Sequence, residues 1–378
     1  MEQTKPPSEL DIKGIIIQAL FLIAVAVLIT SAYSSGQTNL SKMGLTNGFS
    51  FLERATGWSY SFSMIDHSTD DPYYRTLFSG FLNTFVLGIT AIVFSTIFGF
   101  AIGTARDAKN LAVQGSAAIF IQIFRNIPLI LQLIFWYAVL IHLPSPRQAM
   151  GFYDTIFMSN RGVMIPTLNM SLYTWLIVVA IAIGAYFSIN KFCKQKKPIK
   201  ILAWVTIMAV SVLLLGNLFV PENEPLLSIP ELKGLRFVGG VTLNIELVAM
   251  LIAIILYGSS YIAEVVRGGL QEVPKGLTEA GNSLGLSDRQ IWFKIKMPMA
   301  LRTILPPLGN QWIFLIKATT IGVAIGYSDL FMIISTSITQ SGQTLELIGI
   351  LMSAFLLINF SLARLINLLN KKLQLKGH

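Results

Sequence analysis

Polar residues from position 274 to position 298 have the types and spacing of two short helices joined by a tight turn. Pro274 suits the first turn of a helix, because its missing N–H would have no partner there. The first helix should span residues 275–284 and end at Gly285, which can adopt the left-handed conformation that closes a helix. Ser287 and Gln290 have the spacing of a capping box, so they should open a second helix.

This helical pair lies between two apolar runs that are each long enough to cross a bilayer. The second helix should end at Met297, because the residue before Pro298 is disfavoured in the helical conformation. A folded, charged helical pair between two membrane spans predicts a docking surface for a cytoplasmic partner. An ordinary amphipathic connector is the alternative.

The composition is that of a membrane protein. The chain has 378 residues, of which 53% are hydrophobic and only 12% are charged. A helix needs roughly 20 apolar residues to cross the hydrocarbon core of a bilayer. We therefore predict an all-α, polytopic transmembrane helical bundle of about 8 spans, at residues 14–33, 77–103, 122–143, 172–190, 201–220, 241–263, 302–325 and 345–368.

Lysine and arginine residues indicate the orientation of these spans, since cytoplasmic loops carry an excess of both. With both termini in the cytoplasm, 20 of the 28 Lys and Arg residues fall inside, 7 fall outside and Lys317 lies within a span. The net charge of +9 is thus a topology signal and requires no nucleic acid partner. Five lysines between residues 191 and 200 allow two interpretations, a contact with anionic membrane lipid or a plain positive-inside anchor.

Residues that could catalyse a reaction or bind a metal are not arranged for either task. The sequence contains no G-x-x-x-x-G-K-[ST] phosphate loop, and no Ser/His/Asp or Cys/His arrangement is placed as a catalytic site. One cysteine, Cys193, and three scattered histidines offer no metal spacing. We therefore expect no catalytic residue, metal or cofactor on this chain. Energy for ATP-driven transport would come from a separate subunit.

The spacing within the helical pair resembles the EAA loop of ABC importer permeases. In that loop the same residue types occur at the same intervals, except that alanine stands at the position of Gly281 and leucine at that of Met297. The glycine should weaken the first helix by about 1 kcal/mol. The resemblance implies that this loop couples the chain to an ATP-hydrolysing subunit, and that the coupling residues are Glu279, Ala280, Gly281, Gly285, Ile295 and Pro298.

Four more stretches resemble polar amino acid permeases of the histidine/glutamine/glutamate type. They are Gly80 to Thr84 with the span up to Arg106, Phe124 to Gln132, Tyr261 to Gly269, and Leu305 to Gln311. The resemblance covers about residues 75–143 and 240–370, and residues 144–237 look like an inserted helical pair, as in general L-amino acid permeases. Pro128 should break the third span, and the freed carbonyl then needs a partner such as Asn126 or Gln132.

Ionisable residues within spans cost roughly 2.5–3.5 kcal/mol each and are functional candidates. Glu246 and Glu264 are 18 residues apart and should share one helix face, as should Asn310 and Lys317. We hypothesise that Glu246, Asn310 and Lys317 line a substrate path and engage the ammonium and carboxylate of an amino acid. The resemblance adds two further path candidates, Asn83 and Gln132. The alternative is that Glu246 and Lys317 pair, or contact a partner permease, only to hold the bundle.

The resemblance also divides the chain. Residues 1–75 would form an N-terminal transmembrane helix and a periplasmic segment, and residues 76–370 a permease domain with a type I ABC importer core. That domain would contain the inserted pair at about 144–237 and a cytoplasmic coupling loop at about 264–300. Residues 371–378 would form a cytoplasmic tail.

As a member of that family, the chain is expected to be a multi-pass permease subunit of an ABC importer that translocates polar L-amino acids across the bacterial inner membrane. Its expected partners are an ATP-binding subunit dimer that holds ATP and Mg²⁺, a second permease chain (a homologue or a second copy), a periplasmic amino acid-binding protein, the amino acid substrate and membrane lipid. The alternative is an ion-coupled secondary amino acid transporter. Such a protein needs inverted repeats and interrupted helices in two halves, which the sequence does not show.

Overall fold

The computed structural model describes residues 12–42, 48–193, 197–220, 225–234 and 236–373. The expected cytoplasmic positions of residues 1–11 and 374–378 lie outside the described residues. Within the described ranges the chain is mostly helical. Its α-helices are α1 (Ile12–Lys42), α2 (Tyr73–Arg106), α3 (Leu111–Asn126), α4 (Leu129–Ile141), α5 (Leu172–Phe192), α6 (Lys197–Phe219), α7 (Ile245–Gln271), α8 (Lys275–Ser283), α9 (Asp288–Ile291), α10 (Met297–Ala318), α11 (Leu330–Ser341) and α12 (Thr344–Leu373).

Seven helices of the described chain are long and apolar enough to cross a membrane, and the bent pair α3–α4 raises that number to eight. The seven are α1, α2, α5, α6, α7, the continuous helical segment from Asp288 to Ile325 that contains α10, and α12. The prediction of a helical bundle with about 8 spans is therefore confirmed. A shorter apolar helix, α11, lies between the last two spans and was not predicted.

The third span, predicted at residues 122–143 with a break at Pro128, consists of the two helices α3 and α4, and α3 begins at Leu111. Helices α3 and α4 meet at an angle of 101°. Ile127 adopts an extended conformation between them, because the ring of Pro128 disfavours a helical residue before it. Gln132 Nε2 donates hydrogen bonds to the carbonyls of Phe124 and Ile127, both at 2.9 Å. Gln132 is thus the side chain that satisfies the carbonyls freed by the break.

The core of the bundle forms where α2 packs against α7. A Cβ atom placed at Gly99 would lie 2.5 Å from Ile262 Cγ2, and one placed at Gly103 would lie 2.6 Å from the carbonyl oxygen of Ala263. Helices approach this closely only where small residues leave room. Side chains of α4, α10 and α12 complete the apolar core around α7.

A second apolar cluster lies at the outer end of α2. A short 3-10 helix, Phe49–Glu53, and helices α11 and α12 pack against α2 there. The buried side chains of this cluster are Phe51, Tyr73, Leu77, Leu330, Ile333, Ile334 and Leu347. The cluster fixes the segment between α1 and α2 to the bundle.

Short antiparallel strands, which the sequence analysis did not predict, flank the inserted helices α5 and α6. They are β1 (Met150–Phe152), β2 (Ile156–Ser159), β3 (Gly162–Ile165), β4 (Thr167–Leu168), β5 (Leu227–Ser228), β6 (Glu231–Lys233), β7 (Arg236–Val238) and β8 (Val241–Leu243). One sheet has the order β1-β2-β3-β8, while β4 pairs with β5 and β6 with β7. Pairing of Val163 with Leu243 returns the chain to the start of α7. The sixth span therefore begins at Ile245 and not at residue 241 as predicted.

Candidate functional site

The predicted helical pair is present between α7 and α10, and its turn has the predicted geometry. Gly285 follows α8 in the left-handed conformation, with φ of +73°, and Leu286 N–H donates to the carbonyl of Gly281 at 3.1 Å. Ser287 Oγ accepts from Gln290 N–H, and Gln290 Oε1 accepts from Ser287 N–H, which confirms the capping box at the start of α9. We refer to residues 274–298 as the cytoplasmic hairpin, after the side of the membrane that the distribution of lysine and arginine predicts for it.

The second arm of the hairpin does not end at Met297 as predicted. A π-helical turn, Trp292–Lys296, follows α9 and continues into α10 without a break. Met297 N–H donates to the carbonyl of Trp292, five residues earlier. The wider turn accommodates Pro298, which lacks an N–H and whose ring would clash with the carbonyl four residues earlier in a regular α-helix. The hairpin is therefore continuous with the seventh span.

Gly281, where the resembled motif has alanine, is buried between the two arms of the hairpin. A Cβ atom at this position would lie 3.0 Å from Ile295 Cδ1 and 3.1 Å from Ile291 Cγ1. The glycine lets the arms approach closely, and this packing offsets a helix-propensity cost of about 1 kcal/mol. Gly281 and Ile295 thus hold the hairpin together.

The other motif positions face outward. Exposed residues of the motif are Glu279, Ala280, Gly285 and Pro298. The hairpin also exposes three large apolar side chains, Leu277, Leu284 and Phe293, and Leu284 is 80% exposed. Exposed apolar side chains gathered on a polar loop are typical of protein–protein contact surfaces. The sequence analysis did not single them out, although the position of Leu284 next to the C-capping glycine was an available signal.

Two ion pairs join the hairpin to the cytoplasmic end of α2. Lys296 Nζ lies 2.5 Å from Asp107 Oδ2, and the two side chains are only 24% and 18% exposed. Lys109 Nζ lies 3.1 Å from Asp288 Oδ2, and these side chains are 92% and 82% exposed. Since Asp107 is the residue that follows the last turn of α2, the partly buried pair ties the hairpin to a central helix of the bundle. Sequence analysis missed both pairs.

Three of the stretches that resembled amino acid permeases converge on one cavity beside the hairpin. The cavity has a volume of about 390 Å³, and its lining includes Arg125, Tyr261, Glu264, Pro307 and Gln311. These residues come from α3, α7 and α10, which are far apart in the sequence. The tertiary structure thus explains why the three stretches occur together in one chain.

Glu264 is shared between two arginines at this cavity. Arg267 donates two hydrogen bonds to the Glu264 carboxylate, at 3.1 and 2.5 Å. Arg125 NH1 lies 4.0 Å from Glu264 Oε2, and its guanidinium lies 5.1 Å from the centre of the Tyr261 ring. The network links the break between α3 and α4 to the last turns of α7. Sequence analysis identified Glu264 as a candidate but neither arginine, although the i, i+3 spacing of Arg267 indicated a pair.

No hydrogen bond or ion pair joins the predicted path residues Glu246, Asn310 and Lys317 to one another within the described ranges. Glu246 lies half-buried in the first turn of α7, whereas Asn310 and Lys317 are exposed on α10. No ion pair joins Glu246 to Lys317 among the residues that the structure describes. The described structure therefore contains no Glu246–Lys317 ion pair that could stabilise the bundle.

Asn310 and Lys317 belong to an exposed stripe along α10 that also contains Thr303, Pro307 and Phe314. The opposite face of α10 is buried, largely against α7 and α12. A lysine and an asparagine at membrane depth are too costly to leave against lipid. We therefore expect the stripe to face water or another protein.

Asn83 and Gln132, the two remaining path candidates, are buried and bonded to backbone. Asn83 Nδ2 donates to the carbonyls of Phe62 and Ser328, at 3.1 and 2.7 Å, and Asn83 Oδ1 accepts from Met64 N–H at 3.2 Å. Gln132 holds the break between α3 and α4, as described above. Both side chains thus contribute to the arrangement of the backbone around them.

The structure combines a helical bundle of seven or eight membrane spans, a cytoplasmic hairpin with exposed apolar side chains and a polar stripe along one span. These features define a membrane transport subunit that works with a soluble partner. Comparison with known proteins agrees with this class. The family described as "Binding-protein-dependent transport system inner membrane component" matches residues 97–375. The chain belongs to this family and is an inner membrane permease subunit.

Individual proteins show the same relationship. YhdX of Escherichia coli (strain K12), described as an amino-acid ABC transporter permease, is 36% identical over 370 residues, covering 96% of this chain and 94% of YhdX. AapQ of Rhizobium johnstonii, a general L-amino acid transport system permease, is 31% identical over 96% of this chain and 92% of its own length. A crystal structure of an amino acid ABC transporter with histidines matches 79% of this chain and 95% of that chain, with a TM-score of 0.47 and 18% identity. The family match and the two relatives YhdX and AapQ confirm the expected ABC permease subunit, with ATP hydrolysis on a partner chain, and they do not support the ion-coupled alternative.

Proposed function

We propose that this permease subunit translocates polar L-amino acids into the bacterial cytoplasm. YhdX is described as an amino-acid ABC transporter permease and AapQ as a general L-amino acid transport system permease, and each aligns with 96% of this chain, so the similarity extends through the inserted region. Three of the four stretches that resemble polar amino acid permeases line a common cavity, which supports the same substrate class. Which amino acids pass would depend on the polar groups along the path.

The observation that carries the proposed coupling to an ATP-hydrolysing subunit is the exposed surface of the cytoplasmic hairpin. An ATP-binding subunit dimer would hold ATP and Mg²⁺ and would bind this surface. Leu284 and Phe293 would serve as apolar anchors in a groove of that subunit, since buried apolar anchors dominate the energy of most interfaces. Glu279, Ala280, Gly285 and Pro298 would lie at the same contact, while Gly281 and Ile295 would keep the hairpin folded.

Closure of the nucleotide-bound ATPase dimer would move the hairpin, and the structure offers connections that carry this motion into the membrane. A Cβ atom at Gly269 would lie 2.4 Å from Ile304 Cγ1, so the ends of α7 and α10 touch at the base of the hairpin. The Asp107–Lys296 ion pair connects the hairpin to α2 as well. Three central helices would thus follow the hairpin together and change access to the path.

The exposed stripe of α10 would face a second permease chain, either a homologue or a second copy. In that assembly Asn310 and Lys317 would line the substrate path between the two chains, with Glu246 near its outer end. Asn83 would act indirectly, because its amide oxygen and nitrogen are both engaged by the backbone. Gln132 would act chiefly through the break between α3 and α4, where its Nε2 bonds to the backbone, although its buried Oε1 has no partner among the described residues. The cost of an unpaired lysine at membrane depth supports a polar environment for this stripe.

A periplasmic amino acid-binding protein would dock on the outer side of the bundle. The turn between β1 and β2 exposes two aromatic side chains, Phe152 and Tyr153, whose ring centres are 4.7 Å apart. Aromatic residues are enriched at the energetic centres of protein interfaces. Pairing of β3 with β8 would connect this surface to the start of α7.

The proposed division of the chain follows from these roles. Residues 1–75 would form the N-terminal helix and periplasmic segment, and residues 76–370 the permease domain. Within it, residues 144–237 would be the insertion and residues 264–300 the coupling loop, while residues 371–378 would form the cytoplasmic tail.

Affinity purification of the tagged chain from its native membrane, with identification of the co-purifying proteins, tests the proposal. We expect an ATP-binding subunit and a second permease chain in the complex. Leu284→Asp should reduce recovery of the ATP-binding subunit about 30-fold, because a central apolar anchor contributes at least about 2 kcal/mol. Leu111→Asp is the matched control, since Leu111 is 81% exposed and lies outside the hairpin.

Two results would contradict the proposal. Equal recovery of the ATP-binding subunit with both variants would show that the hairpin surface is not the dock. Recovery of the chain alone, with amino acid uptake driven by an ion gradient, would favour a secondary transporter.

A further inference from the structure

The inserted helices α5 and α6 form a hairpin with a mostly apolar, exposed surface. They pack on each other, and Trp204 Nε1 of α6 donates to the carbonyl of Ala182 of α5 at 2.8 Å. Ile183, Phe187 and Leu202 are among the large apolar side chains exposed on its surface. Both helices are long enough to cross the membrane, so these side chains would contact the bilayer hydrocarbon.

A cavity of about 540 Å³ lies between α5 and α6 at their cytoplasmic ends. It is lined by Tyr186, Ile189, Asn190, Lys200, Ile201 and Trp204. Its size lies within the range of small-molecule sites, about 300–1,000 Å³. The lining combines one amine and one amide with two aromatic rings and two isoleucines. This combination suits a ligand that has an anionic end and an apolar body.

The charge around the cavity selects the same kind of ligand. Residues 191–200 contain five lysines and no acidic residue. Lys200 makes no ion pair with any residue in the described ranges. Basic clusters at the cytoplasmic surface attract anionic lipid headgroups, and Tyr and Trp favour the headgroup level.

We propose that this cavity binds one anionic phospholipid. The phosphate contacts Lys200 Nζ and the Asn190 amide, and the glycerol and first methylenes pack against Tyr186 and Trp204. If the lysine cluster were only a positive-inside anchor, it would need the lysines alone. A bound lipid needs the aromatic cavity beside Lys200 in addition. The site is built entirely from the inserted helices, so it is independent of the transported substrate.

The test uses the complete importer in nanodiscs of phosphatidylcholine with increasing phosphatidylglycerol, and native mass spectrometry counts the retained lipid. We expect one phosphatidylglycerol to be retained preferentially. Lys200→Gln should raise the phosphatidylglycerol fraction needed for half-occupancy about fivefold, as expected for the loss of one lysine contact. Lys191→Gln, which removes a charge from the same turn outside the cavity, should leave it unchanged. Asn190→Leu should weaken retention without any change in charge.

Each of three results would contradict the proposed lipid site. Equal effects of Lys191→Gln and Lys200→Gln would show diffuse electrostatic attraction only. Equal retention of the two lipids would show that the cavity selects no headgroup. Displacement of the lipid by millimolar inorganic phosphate would assign the site to a soluble anion. Circular dichroism of each variant checks that the helical content is unchanged.

Discussion

Neutralising either partner of the Asp107–Lys296 ion pair should loosen the cytoplasmic hairpin from α2. The pair connects the end of α2 to the π-helical turn, and its side chains are 18% and 24% exposed. Asp107→Asn and Lys296→Met each remove one charge and nearly preserve side-chain size. Each leaves the opposite charge without its partner at a position that is largely shielded from water.

The magnitude follows from the burial of the pair. A hydrogen bond to a charged group contributes about 1.5–3 kcal/mol net. Because both side chains are less than one quarter exposed, solvent screening removes only part of this contribution. We therefore expect the docked hairpin to lose about 2 kcal/mol, which shifts its equilibrium toward the undocked form about 30-fold.

Two measurements on the reconstituted importer report this loss. Hydrogen exchange of the hairpin amides reports local opening and should accelerate in both variants. The number of substrate molecules transported per ATP hydrolysed should fall, because a loosened hairpin transmits less motion to α2. The double variant Asp107→Asn/Lys296→Met should cost little more than one single variant, since the interaction can be lost only once.

The exposed pair Lys109–Asp288 provides the control, because it joins the same two parts of the molecule. Its side chains are 92% and 82% exposed, and exposed ion pairs contribute little. Lys109→Met and Asp288→Asn should therefore leave exchange and coupling unchanged. The reasoning is refuted if the Asp107 and Lys296 variants behave like these controls, or if their separate effects add in the double variant.

Three further outcomes are expected. Gly281→Leu should destabilise the hairpin by about 1–3 kcal/mol through overpacking, measured as loss of the co-purified ATP-binding subunit. The control is Gly276→Leu in the same helix, which should have no such effect because a Cβ atom at Gly276 has no neighbour within 4 Å. Lys317→Met should reduce amino acid uptake about tenfold or more at unchanged complex yield, and Lys317→Arg should retain most uptake; normal uptake in the methionine variant would exclude Lys317 from the path. Burial raises the pKa of Asp329, which lies between the seventh span and α11, to about 7. The neutral carboxyl stabilises the fold fully below its ordinary pKa of 3.8, and this stabilisation is lost as pH rises through about 7. The melting temperature should therefore fall from about pH 5 to about pH 8, and Asp329→Asn should flatten that slope.

Much of this fold could be predicted because its signals are local. A membrane span is a continuous run of about 20 apolar residues, and orientation follows from the positions of lysine and arginine. The turn of the hairpin depends on Gly285 and on the Ser287–Gln290 pair, which interact over only a few residues. The break at Pro128 was also predictable, because proline restricts its own neighbour.

Other features depend on contacts that have no local signature. Pro128 predicts a break but not its angle of 101°, and the sheet that leads into α7 pairs strands from both sides of the inserted helices. The end of the second hairpin arm was predicted wrongly at Met297, because a π-helical turn relieves the constraint that Pro298 imposes.

The amino acid sequence alone therefore determined the helical spans and the turn chemistry of the hairpin, since each rests on the properties of neighbouring residues, and it predicts the orientation of the spans. Only the tertiary structure decided which distant residues act together. Asp107 and Lys296 are 189 positions apart, and neither residue type nor spacing indicates that they meet. The same holds for Arg125, Glu264 and Gln311 around one cavity. Such contacts arise from helix packing, in which a few small residues on α2 and α7 decide which faces meet.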